Sequence, residues 1–197
     1  VEMVKLDVTD SISLNNFTSK SDPYDILVCN AGIVNWVDAV DMTDECWNNL
    51  LNVNLSGVFR CCRAFGRKMI ENGGGSIINI GSMSGIIVNT PQSQAHYNTS
   101  KAAVHQLTKS LAVEWAKYGI RTIAIAPGPF PTKGAWSRLA PPGMGVEKKM
   151  KAQIPLRRFG EHEELANLAT FLVSDQASYI NGEVVTIDGG EWLQGAG

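Results

Sequence analysis

The chain has 197 residues, a formal net charge of -2 and 44% hydrophobic residues, enough for one globular domain with a sizeable core. Its Lys and Arg residues are dispersed, which argues against a polyanion-binding surface and so against a nucleic-acid partner. No apolar run is long enough to cross a bilayer, and Val1-Glu2-Met3-Val4-Lys5 carries charge inside its only apolar run, unlike a secretory leader.

Short apolar runs alternate with longer helical patterns along the chain, which predicts an α/β fold with a parallel sheet. Val4-Lys5-Leu6 is expected to close a first strand and Ile26-Leu27-Val28-Cys29 to form a second. Thr43 is a capping residue followed by Asp44 and Glu45, where the helix dipole favours negative charge. That helix is predicted to run to about Ile70 and to end at Asn72-Gly73-Gly74-Gly75. Ser76 to Ile80 is the third predicted strand. A second long helix is expected from Gln94 to Tyr118, with Gly119 as its stop. Thr122 to Ala126 is the fourth strand, closed by Pro127-Gly128-Pro129. A short helix is predicted from Glu163 to Leu172 and a last strand from Glu183 to Ile187. The Pro-, Gly- and Lys-rich stretch from Pro127 to Pro155 is expected to be a mobile flap after a strand's carboxyl end, where open α/β sheets bind ligands.

The cysteines Cys29, Cys46, Cys61 and Cys62 form no CxxC pair and have no His at zinc spacing. They read as reduced, mostly buried thiols of a cytoplasmic protein with no metal site.

Tyr97-Asn98-Thr99-Ser100-Lys101 places Tyr97 and Lys101 one helical turn apart on one face. A free phenol titrates near 10, too high for a base at neutral pH, and a neighbouring ammonium is expected to lower it. Such a pair can move a proton to or from a hydroxyl or carbonyl oxygen. Ser82 follows the third strand, where its hydroxyl can bond a substrate oxygen as charge develops. Asn30-Ala31-Gly32 follows the second strand in the same way. Asn54 falls inside a predicted helix, where two nearby Asn residues are unexpected on propensity.

In combination and order, Asp7-Val8, Asn30-Ala31-Gly32, Asn54, Ser82, Tyr97/Lys101 and Pro127-Gly128 resemble the short-chain dehydrogenase/reductase family over essentially the whole chain. The resemblance implies a Rossmann-type doubly wound parallel sheet, here lacking the first βαβ unit, in one domain spanning residues 1–197. It implies Tyr97 as acid/base, Lys101 as the group that lowers the tyrosine and holds the nicotinamide ribose, and Ser82 as the residue orienting the substrate oxygen. Asn54 resembles the residue that holds a water in a relay to Lys101. Asp7 and Val8 resemble the adenine contact, Asn30, Ala31 and Gly32 the adenosine side. Pro127, Gly128, Phe130 and Thr132 match the segment that fixes the carboxamide. The implied cofactor is NAD or NADP, the partner a small alcohol or ketone, and the assembly a homo-oligomer, a tetramer in the family.

Two branches of the family are visible. Gly81 to Asn89, Pro91-Gln92 and Gln94 look like polyol and sugar-alcohol dehydrogenases such as those acting on sorbitol, arabinitol or gluconate. Pro127-Gly128-Pro129, Gly134-Ala135-Trp136-Ser137-Arg138-Leu139 and Glu163-Glu164-Leu165-Ala166-Asn167 are similar to bacterial 2,4-dienoyl-CoA reductases. Those lack the tyrosine at the place of Tyr97, so alcohol/ketone chemistry is the favoured expectation. The family's Gly-rich turn, which normally cradles the cofactor's pyrophosphate, is absent from the sequence as it stands. Weak NAD or NADP binding by the isolated chain, or a non-catalytic chain, therefore stays open.

Overall fold

The computed structural model describes residues 2–132 and 146–193. Its strands are β1 (Ile26–Cys29), β2 (Gly75–Ile80), β3 (Ile120–Pro127) and β4 (Val184–Ile187). They form one parallel sheet in the order β1-β2-β3-β4. Ile26 pairs with Ser76, Ile80 with Ile125, and Ala124 with Val184. Parallel neighbours need long crossovers, and the helices supply them. They are α1 (Ser11–Lys20), α2 (Asp44–Leu51), α3 (Val58–Glu71), α4 (Ala95–Trp115), α5 (Val146–Gln153) and α6 (His162–Val173).

Alternating side chains of β2 and β3 feed two cores, one on each face. On one face Ile77 and Ile120 pack with Val58, Cys62, Phe65 and Met69 of α3 and with Val104 and Leu111 of α4. On the other, Ile78, Ile123 and Ile125 pack with Leu165, Leu168 and Leu172 of α6. Helices on both faces make the sheet doubly wound, as expected. Close approach of α3 to α4 needs Gly66, where a Cβ would stand 2.8 Å from the Trp115 ring. Gly119 ends α4 with φ +75, a left-handed conformation that favours glycine.

Four features differ from the sequence expectations. First, Val4, Lys5 and Leu6 form no strand. A strand exists only through a paired neighbour, and every described pairing is among β1 to β4. Leu6 and Val8 nonetheless pack against the α3 core. Second, α1 was not foreseen. It is capped by Asp10, whose carboxylate accepts from the amides of Ile12 and Ser13 at 2.9 and 3.0 Å. Third, the helix capped by Thr43 is interrupted at Asn52–Gly57 by a π-helical turn. Arg60 holds that turn through the Asn52 carbonyl at 3.1 Å and its side-chain oxygen at 2.7 Å. Fourth, residues 146–153 of the expected flap form α5, whose Lys151 pairs with Glu147 at 2.7 Å. The centre of that flap, with the Gly134 to Leu139 motif, lies outside the described residues. The thiols of Cys29, Cys61 and Cys62 are buried and all four cysteines are free.

Candidate functional site

The chain leaves β1, β2 and β3 at one edge of the sheet, and a cleft of about 360 Å³ opens there. Asn30, Gly32, Ser82, Tyr97, Lys101, Pro127, Gly128, Phe130 and Thr132 all line it. Asn30 also lines a smaller hollow with Val8, Ala31, Gly57 and Cys61. All the predicted site residues line one or the other of these two hollows except Asp7 and Asn54. Asp7 is exposed, and its carboxylate accepts from the Thr9 amide at 2.8 Å and the Thr9 hydroxyl at 2.7 Å. These bonds hold it below its ordinary range.

Helix α4 begins just before Tyr97 and carries Tyr97, Lys101 and His105 at successive four-residue steps, so the three share a face. Ser82 leaves β2 in an extended conformation and accepts from the Ser84 amide at 3.1 Å. Ser82 and Tyr97 line the same cleft, and the nearby Ser82 side chain favours the ionised phenol. Lys101 is buried, and its Nζ lies 5.7 Å from the centroid of the Tyr97 ring. That Nζ donates to the Ile80 carbonyl at 2.8 Å.

Burial is the largest influence on the Tyr97 phenol and raises it, and the Ser82 side chain opposes the rise. Burial brings Lys101 itself down to about 8.

Asn54 is fully buried in the π-helical turn. Its side-chain oxygen accepts from the Ile33 amide and its nitrogen donates to the Ile33 carbonyl, both at 2.8 Å. The carboxamide thus clamps the backbone beside Gly32, and its nitrogen also donates to the Ser100 hydroxyl at 3.4 Å. A Cβ at Gly32 would stand 3.5 Å from the Asn54 oxygen and 3.8 Å from Lys101 Nζ, so the absence of a side chain keeps that wall open. His105 is the residue the sequence reading missed. Its Nε2 accepts from the Ser82 amide at 3.4 Å, and burial, with Lys101 and Lys109 nearby, pushes it down to about 4. Its signal was the four-residue step beyond Lys101. Among the described residues no group of His, Cys, Asp and Glu could hold a metal, and no helix is long and apolar enough to cross a membrane.

A family model described as enoyl-(acyl carrier protein) reductase matches residues 1–191. The chain is 44% identical to galactitol 2-dehydrogenase of Rhizobium johnstonii, over 96% of this chain and 75% of that protein. It is 40% identical to a probable 2,4-dienoyl-CoA reductase of Bacillus subtilis, over 86% of this chain and 66% of that protein. The crystal structure of a gluconate 5-dehydrogenase from Burkholderia cenocepacia J2315, in complex with NADP and tartrate, matches with a TM-score of 0.88 at 32% identity. That match covers 96% of this chain and 74% of the other.

Proposed function

The chain belongs to the short-chain dehydrogenase/reductase family, and from that premise we propose that it is an NAD- or NADP-dependent oxidoreductase interconverting a polyol's secondary alcohol and a ketone. The observation that carries the reading is the meeting of Ser82, Tyr97 and Lys101 on one cleft wall, with the Lys101 ammonium 5.7 Å from the centre of the Tyr97 ring. Galactitol 2-dehydrogenase among the relatives supports the polyol.

The two hollows together fit an extended dinucleotide. Asn30 borders both hollows, and Gly32 permits backbone approach beside Lys101. Val8, Asn30 and Ala31 would hold the adenosine end, with Asp7 next to them. Gly32, Pro127, Gly128, Phe130 and Thr132 would hold the nicotinamide end. When bound, the nicotinamide supplies or accepts the hydride. In alcohol oxidation Tyr97 takes the hydroxyl proton as the carbon loses its hydride, and in reduction it returns that proton to the ketone oxygen. Ser82 donates to the substrate oxygen and keeps it near the phenol. Lys101 would hold the ribose of a bound cofactor, and an ammonium beside the phenol would favour the phenolate. Asn54 fixes the Ile33 backbone that flanks this arrangement.

A panel of polyols and ketoses with each nicotinamide tests the reading. Polyol-dependent formation of reduced nicotinamide, or ketose-dependent consumption of it, is expected. Turnover of dienoyl-CoA alone would select the other branch. A homo-oligomer is part of the proposal, on the resemblance to the family alone. A monomeric mass in light scattering would remove it.

A further inference from the structure

Most polar side chains on the cleft wall are satisfied within the protein. Asn89 accepts from the Ser84 hydroxyl at 2.6 Å through its side-chain oxygen. Gln94 donates to Asn98 at 3.0 Å and to the Ser84 hydroxyl at 3.5 Å. Gln92 lines the same cleft as Ser82 and Tyr97, yet its Oε1 is shielded from solvent and has no hydrogen-bond partner. Leaving such an acceptor unpaired is costly. Rotating the amide by half a turn exchanges Oε1 for Nε2 and leaves a donor unpaired instead. A substrate hydroxyl satisfies either orientation once the amide turns into the cleft, because it both donates and accepts. The rest of the wall includes Val34, Trp36 and Leu165, which offer no side-chain alternative to Gln92 except Trp36 Nε1.

We propose that Gln92 is a specificity-determining residue that reads the hydroxyl beside the reacting carbinol, so that the cleft selects vicinal diols over isolated secondary alcohols. The proposal rests on the alcohol-oxidoreductase reading above. A site with a polar group waiting for a hydroxyl rejects the analogue lacking it, because the group then stays buried and unpaired.

Butane-2,3-diol and butan-2-ol differ by that one hydroxyl and make the test. Wild type and Gln92→Met, a substitution of similar length and no hydrogen-bonding amide, are compared on both alcohols with NAD and with NADP. Wild type is expected to prefer the diol. In Gln92→Met, kcat/KM for the diol should fall about tenfold more than kcat/KM for butan-2-ol, the value of one hydrogen bond. A general loss of folding or of catalysis lowers both alcohols together, and equal falls overturn the proposal, as does a wild type that prefers butan-2-ol. Turnover of neither alcohol by wild type counts against the alcohol-oxidoreductase reading instead. Saturation-transfer NMR of the same two alcohols then decides on Gln92, since it needs no chemistry. Stronger diol contact in wild type than in Gln92→Met supports the residue's role, and equal contact overturns it.

Discussion

The amide of Ser82 donates to Nε2 of His105 across 3.4 Å, so a side chain of α4 holds the loop that carries the site's hydroxyl. The imidazole can accept only while neutral. Its descent to about 4 keeps it so across the physiological range. The helix bearing Tyr97 and Lys101 therefore also carries the acceptor that holds the Ser82 backbone.

The cost of that arrangement is predicted to show in acid. His105 ordinarily titrates near 6.5 and does so near 4 in the folded chain. As pH falls between these values the unfolded chain takes up a proton that the folded chain refuses, so stability is lost. His105→Gln should flatten this part of the curve. Urea unfolding of wild type and variant at several pH values measures it. His96, also lowered by burial, has the same sign but cancels in the comparison.

Lys101 is predicted to act at the other end of the scale. Its folded value of about 8 lies below the ordinary 10.5. Between these values the unfolded chain holds a proton that the folded chain has released, so this group's contribution makes stability rise with pH. Lys101→Met removes the buried ammonium. Its stability should exceed expectation at neutral pH, and its curve should lose the alkaline rise. Identical slopes from pH 8 to 10.5 in wild type and variant would count against the burial argument.

Tyr97→Phe deletes one hydroxyl and leaves the ring packing intact. Carbonyl and alcohol turnover should drop by about a hundred- to ten-thousandfold, the usual contribution of a positioned acid/base. Far-ultraviolet circular dichroism should be unchanged. Loss of fold and activity together would leave the phenol a structural role only.

What could be read from the residues divides along physical lines. β2 and β3 were legible because strands covered on both faces need continuous apolar runs, and Ile77-Ile78 and Ile123 to Ala126 supply them. The two ends of α4 were legible from Gly119 and the pattern after Gln94. Helix α1 was not, because it buries only Leu14 and Thr18 and so lacks a wide apolar stripe. The π-helical turn escaped because it changes hydrogen-bond register without changing composition. Val4-Lys5-Leu6 has strand-like residues, but a strand also requires a neighbour, and composition does not report one. At the site, spacing brought Tyr97 near Lys101 correctly. It could not reveal that desolvation outweighs the other influences at both groups, raising the phenol and lowering the ammonium.

Asn54 offers the sharpest structural test, because its amide meets one donor and one acceptor of the same residue. Ile33 presents its N–H to the Asn54 oxygen and its carbonyl to the Asn54 nitrogen, each at 2.8 Å. Asn54→Ala removes both partners and leaves a cavity at a fully buried position, which should destabilise the fold by about 2 kcal/mol or more. Asn54→Asp has nearly the same shape and separates the two bonds. The carboxylate can still accept from the Ile33 amide, but its second oxygen then faces the Ile33 carbonyl without a proton between them. Burial and that carbonyl should both raise the new carboxyl's pKa. A raised carboxyl gains stability for the folded chain as pH falls, since the folded state binds the proton first. The deficit of Asn54→Asp relative to wild type should therefore shrink from pH 7 to pH 5, while that of Asn54→Ala stays constant. Urea titrations at the two values read the difference directly. Parallel deficits for both variants would show that Asn54 fills space without clamping Ile33.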